Sequence, residues 1–250
     1  ITVLDRTAQR RAERARQDLV ANISHELRTP ITAARALAET LEDGVPDEGQ
    51  RARFHRQLAG EIDRMQGIVE RLIRLSRIEQ GDEPFNLAPV VAGGLVREAI
   101  ERVDPPAERA GVVLSGQTSM EAAAVLVLAD RERILEVLTN LLDNAIKFSS
   151  PGDTVTVGAE PAEGVVRFWV RDEGPGIMPN ERLRVFERFY TSDRARTAGQ
   201  PTGTGLGLSI ARQIVTRHGG DIWVADEPRG TTICFTVPVA STEDPPEPRA

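Results

Sequence analysis

The chain has 250 residues and a mass of 27.3 kDa, which is one or two domains, and its 40% apolar and 28% charged composition excludes collagen-like and wholly disordered chains. No apolar run approaches the roughly 18 residues of a membrane helix, and the single cysteine, Cys234, excludes an internal disulfide and a Cys-x-x-Cys metal site. Thirty-one basic against 38 acidic residues leave a net charge of −7, which argues against sequence-independent nucleic-acid binding.

Residues from about Arg6 to Glu42 are rich in Ala, Arg, Leu and Glu and read as a helix. Its apolar positions Leu19, Ile23, Leu27, Ile31, Ala34, Leu37 and Leu41 follow three- and four-residue spacing. They cluster within roughly 120° of arc. His25 falls almost opposite their centre, with Thr29 one turn along on the same face, Glu26 on the flank, and Pro30 expected to bend the helix just beyond. An outward imidazole with a carboxylate neighbour is a plausible nucleophile, although taken alone it reads first as a solvated surface histidine. His55 has no supporting neighbours, and His218, in Arg217-His218-Gly219-Gly220, reads as the end of a helix, where a cation and glycine are both favoured.

A turn at 44–49 leads to a second helix from about Gln50 to Glu79, with the stripe Phe54, Leu58, Ile62, Met65, Val69, Leu72, Leu75 and Ile78. The two helices form an antiparallel hairpin that leaves each stripe half exposed, and pairing with a second copy as a four-helix bundle covers it.

Beyond Gly81-Asp82-Glu83-Pro84, strands are expected at 112–114, 125–128, 154–157, 165–170, 221–225 and 231–237, and helices at 90–103, 131–148 and 206–218, with Asp130 capping the middle one. This is an α/β layer with one mixed sheet and helices on one side. Cys234 lies in an alternating strand and reads as a buried small apolar side chain.

Three strings in this half carry chemistry. Asn140-Leu141-Leu142-Asp143-Asn144-Ala145-Ile146-Lys147-Phe148 places Asn140 and Asn144 on one helix face, with the only lysine of the chain a further turn along. Two amide oxygens and an ammonium suit a Mg²⁺-polyphosphate, and a plain polar helix face is the competing reading. Asp172-Glu173-Gly174-Pro175-Gly176-Ile177 puts a carboxylate at a strand end before two glycines, which suits an exocyclic amine on a flat ligand or an ordinary glycine turn. Gly203-Thr204-Gly205-Leu206-Gly207-Leu208 opens a helix whose free N–H groups favour anions, although it lacks the preceding strand of a dinucleotide fold and the Lys-Ser/Thr of a P-loop. Residues 190–201 between the last two strings read as a mobile lid.

In this order and spacing, the strings resemble the catalytic core of bacterial sensor histidine kinases of two-component systems, from about Arg16 to Pro238. Leu19 to Pro30 is similar to the H box, Asn140 to Phe148 to the N box, Asp172 to Ile177 to the G1 box, Val185 to Tyr190 to the F box and Gly203 to Leu208 to the G2 box. The resemblance implies an α+β chain: a helical hairpin forming a dimeric four-helix bundle, then an α/β-sandwich ATP-binding domain with a mixed sheet. Its implied limits are a signalling helix at 1–15 after a truncated PAS-like sensor, a dimerisation and phosphotransfer domain at 16–82, the ATP-binding domain at 83–240 and a disordered tail at 241–250.

By position, the resemblance makes His25 the phosphoacceptor, Glu26 its activator and Thr29 the residue that positions water for dephosphorylating a partner. Asn144, with Asn140 beside it, would ligate Mg²⁺, Lys147 would contact phosphates, and Phe148 would pack against the base. Asp172 would bind the adenine amine, and Gly174, Gly176, Ile177, Gly203, Thr204, Gly205, Leu206, Gly207 and Leu208 would admit the nucleotide. One departure stands out. Thr191 occupies a position where many members carry arginine, and Arg188 or Arg194 is expected to supply that charge instead.

ATP and Mg²⁺ are the implied cofactors, and a second copy and a response-regulator receiver domain are the implied partners. No nucleic acid is expected. With no initiator methionine and no signal peptide, the chain reads as the cytoplasmic portion of a protein anchored to the membrane through segments outside it. A scaffold with a degenerate ATP site and a clamp-type ATPase are the alternatives.

Overall fold

The computed structural model describes residues 27–44, 47–80, 85–188, 190, 205–227 and 229–240, with the side chains of 70–80 excepted. The chain divides into two compact units, one up to Glu83 and one from Pro84 onward.

In the first unit, residues 27–42 are helical (α1) and α2 spans Glu48–Gln80. Pro30 lies inside α1 and is buried, whereas Thr29 is exposed. Asp47 accepts from the Gln50 N–H at 2.6 Å and so helps start α2. Leu27, Ala34, Leu37 and Leu41 on α1, and Phe54, Leu58 and Met65 on α2, are half-buried. Ile68 is fully buried, while Ile31, Ile62 and Val69 remain 51%, 50% and 44% exposed, so part of the apolar stripe stays uncovered among the described residues.

The second unit holds β1 (Ala88–Val91), α3 (Ala92–Ala110), β2 (Val113–Thr118), α4 (Met120–Ala124), β3 (Leu126–Ala129), α5 (Arg131–Phe148), β4 (Thr154–Ala162) and β5 (Val165–Asp172). A short 3₁₀ turn at Arg184–Phe186, α6 (Gly207–Arg217), β6 (Ile222–Val224) and β7 (Thr231–Pro238) follow. The main sheet has the order β2-β4-β5-β7-β6, with β2 and β4 parallel and the other pairs antiparallel. β1 and β3 form a separate antiparallel pair.

Along β5, Val166, Phe168, Val170 and Asp172 are buried while Arg167 and Arg171 are exposed, so one face of the strand is covered and the other meets water. Phe168 stacks on Phe235 of β7 at 5.0 Å between ring centroids. The covered face receives α5, which buries Ile134, Leu135, Val137, Leu138, Leu141, Leu142, Ala145 and Ile146 against the sheet, α3 and α6. As expected, Asp130 caps α5, accepting from the Arg133 N–H at 3.2 Å, and Cys234 is buried, which pushes its thiol pKa up.

The structure departs from the sequence expectation in three elements. β1 and α4 are additional, and α3 runs past Val103 through Pro105 and Pro106 to Ala110. The prolines delete hydrogen bonds to the carbonyls of Glu101 and Arg102, both exposed residues, while Val103 and Ala107 stay buried on the core face. The core stripe therefore outlasts the breaker residues.

Candidate functional site

α5 and β5 build the site from opposite sides. Asn140 and Asn144 follow from the helical period of α5: the buried Leu141, Leu142 and Ala145 face the core, and the two asparagines are half-buried at its margin. Their amides reach the start of α6. A Cβ on Gly207 would lie 3.5 Å from Asn140 Oδ1 and 3.7 Å from Asn144 Nδ2. The first N–H groups of α6 have no side-chain cap, since its N-cap is Leu206, and a helix start of this kind favours an anion. Lys147 sits one turn beyond Asn144, half-buried, with Nζ 5.2 Å from the Phe148 ring centroid.

The opposite side is set by the period of two along β5. That alternation places Asp172 on the apolar face, 7% exposed, at the strand end. Its Oδ1 accepts from the Gly174 N–H at 2.9 Å and the Thr231 N–H at 3.1 Å. Burial pushes the carboxyl above its usual pKa range, opposed by these amide bonds and by the Thr231 side chain.

The neighbouring carboxylate plays a structural part. Glu173 accepts from the Thr154 N–H at 3.0 Å and ties the loop to β4. The loop also abuts the end of α5, because a Cβ on Gly174 would fall 2.6 Å from the Phe148 carbonyl oxygen. This close approach brings the two halves of the site together.

Gly230 and Thr231, which lie outside every motif read from the sequence, complete the support. Gly230 has φ +75°, and a Cβ there would fall 2.0 Å from the Asp172 carbonyl oxygen. The available signal is a glycine immediately before a strand-like run, but Thr231 bonds a partner 59 positions away.

Gly176 and Ile177 line a separate cavity of about 200 Å³ with Pro175, Val224, Arg229 and Gly230. Gly205 and Leu206 lead into α6, where Leu206 is fully buried and Leu208 half-buried. Arg188 is exposed at the end of the segment that follows the 3₁₀ turn. There Tyr190 donates to Glu181 Oε1 at 2.6 Å and packs under Arg184. His25, Glu26, Thr191, Arg194, Gly203 and Thr204 lie outside the described residues.

As expected, His218 ends α6. It is also buried, which lowers its pKa and disfavours the cation there.

Comparison with known proteins bears on this geometry. Residues 129–241 match the family described as histidine kinase-, DNA gyrase B- and HSP90-like ATPases, and residues 15–81 match the His kinase A phospho-acceptor domain. The structure of the mycobacterial sensor histidine kinase MprB is 33% identical over 61% of this chain and 97% of its own length, with a TM-score of 0.52. The chain belongs to the sensor histidine kinases. It carries the catalytic core of a two-component sensor kinase.

Among curated relatives, the sensor histidine kinase WalK of Bacillus subtilis is 35% identical over 97% of this chain and 40% of its own length. The histidine kinase ThkA in complex with the response regulator protein TrrA superposes with a TM-score of 0.74 at 25% identity, covering 96% of this chain and 68% of that one. The chain spans 40% of WalK and 62% of the mycobacterial SenX3 it matches. Among the described residues no helix is long and apolar enough to cross a membrane.

Proposed function

We propose that the chain binds ATP between α5, the Asp172 loop and the start of α6, phosphorylates His25, and passes the phosphoryl group to an aspartate of a response regulator. The observation that carries this reading is the buried Asp172 carboxylate, pinned by two backbone amides, on a loop whose Gly174 closely approaches the end of α5, the helix that bears Asn140 and Asn144. One side recognises a base with an exocyclic amine, and the other recognises phosphates.

Asn140 and Asn144 fit a hard divalent cation by donor chemistry, since each carries an amide oxygen, and Asn140 Oδ1 lies beside the uncapped helix start. A bound Mg²⁺ would neutralise charge on the transferring phosphate. Lys147 adds a point charge, and the α6 amides hold phosphate oxygens. Catalysis on this reading is chiefly positioning and charge stabilisation.

His25 receives the phosphoryl group through a ring nitrogen, with Glu26 taking up its proton. Thr29, exposed on α1, serves the opposing hydrolysis by orienting a water against the phosphorylated regulator. Arg188 or Arg194 supplies the charge that Thr191 does not. The exposed Ile31, Ile62 and Val69 support a homodimer in which a second hairpin covers them. The core acts on the cytoplasmic side of a membrane-anchored sensor.

Labelling with γ-labelled ATP tests the assignment. The product should be acid-labile and base-stable, and His25→Ala should abolish it while nucleotide binding stays near normal. Normal labelling of the alanine variant would overturn the reading, and ATP turnover without any phosphoprotein would favour a clamp-type ATPase.

A further inference from the structure

His218 joins two parts of the second unit that the proposed chemistry keeps separate. Its ring is 6% exposed, and both nitrogens are engaged. Nδ1 lies 2.8 Å from the Ile214 carbonyl oxygen, which can only accept, so Nδ1 carries the proton. Nε2 lies 3.0 Å from the Asp130 N–H, which can only donate, so Nε2 offers a lone pair. The imidazole is therefore held neutral in one tautomer.

Asp130 caps α5, the helix bearing Asn140 and Asn144. Its other carboxylate oxygen accepts from the Asn86 N–H at 3.0 Å. Phe85 packs edge-on against the His218 ring at 4.9 Å and lies under the Arg217 guanidinium at 4.1 Å. Phe85 and Asn86 are the first described residues of the second unit, directly after the link from the helical hairpin. The chain entering this unit is thus clasped to the start of the asparagine-bearing helix through one histidine.

We infer that His218 is a positioning residue and a proton-sensitive clasp: neutral, it fixes the Phe85–Asn86 entry strap to the α5 start, and protonated, it releases it. A proton on Nε2 would confront the Asp130 amide hydrogen, so that bond breaks. Two charged groups act on the ring. The Asp130 carboxylate, from the facing helix, favours the cation, and Arg217, from α6 itself, opposes it along with burial. The titration midpoint therefore lies below the ordinary imidazole value.

Amide hydrogen exchange on the full, unphosphorylated chain tests this without involving His25, so its failure leaves the kinase proposal untouched. Relative to intrinsic rates, protection of the Asn86 and Asp130 amides should fall about five- to tenfold on acidification from pH 7.5 to 5, the scale of one lost hydrogen bond. Nitrogen-resolved NMR should report the Nδ1–H tautomer for His218 at pH 7.5. His218→Gln, whose Oε1 reaches the Nε2 position and does not titrate, should keep protection across this range.

Phe85→Ala leaves the buried ring in place but uncovers it, and should raise the His218 midpoint while lowering Asn86 protection. This second variant keeps the test open if His218→Gln does not fold. Unchanged protection between pH 7.5 and 5 in the wild type would overturn the inference. So would an Nε2–H tautomer, or a midpoint unmoved in Phe85→Ala.

Discussion

Asp172→Asn separates binding from stability, because the structure dictates which way the new amide points. Asp172 Oδ1 accepts two backbone N–H groups, so the Asn carbonyl oxygen must take that place and its NH₂ must take the place of Oδ2. On the proposed reading, a donor then meets the adenine amine, itself a donor. The loss is one charge-assisted hydrogen bond, about 1.5–3 kcal/mol, or about 10- to 150-fold in nucleotide affinity.

The effect on the free protein runs the other way. Burial raises the folded-state pKa of Asp172 above its unfolded value of 3.8. A group of this kind contributes its full stability below the unfolded pKa and loses it as pH rises through the folded one. At neutral pH the buried charge is therefore a burden that the amide removes. The nucleotide-free variant should melt at or above the wild-type temperature at pH 7, and the difference should shrink toward pH 3. Calorimetric titration with ADP and thermal melting at the two pH values read both effects. Wild-type ADP affinity in the variant, or marked destabilisation at pH 7, would refute the reasoning.

Other expectations follow from the same contacts. Gly230→Ala forces a side chain against the Asp172 carbonyl at positive φ, and should cost at least about 1–3 kcal/mol in urea unfolding while weakening nucleotide binding. Leu138→Ala, at a fully buried position of α5, should cost about 2–5 kcal/mol in the same assay. Asn144→Ala should weaken ADP binding in the presence of Mg²⁺ far more than in EDTA, measured by titration. Arg188→Ala and Arg194→Ala should differ in labelling rate, and unchanged γ-phosphate transfer in both would remove them from the site.

α5 and β5 are legible in the sequence because their signals are local. The helix carries an uninterrupted apolar stripe with a capping aspartate, and the strand alternates cleanly up to Asp172. β1 and α4 are not legible. β1 is four residues long and contains a proline, and its identity as a strand comes from pairing with β3 across about 40 residues of sequence. α4 is a single capped turn, started by Ser119 accepting from the Ala122 N–H.

In the site, the strings around Asn140 and Asp172 declare themselves by residue type, and the structure brings Gly207 against the asparagines. The support from Thr231 is hidden because it depends on strand register, which composition does not encode. The burial of His218 is hidden for a related reason. A histidine beside Gly-Gly has the local chemistry of a helix end, but its burial depends on Phe85 and Asp130, both remote in sequence.

The pairing of Asp172 with Thr231 in the β5–β7 ladder gives the pocket an unusual heredity. The recognition group is not carried on an adjustable loop. It is the last rung of two strands whose other rungs include the stacked Phe168 and Phe235. On the proposed reading the ligand thereby constrains the sheet core, since a slip of one position would carry the carboxylate to the opposite face.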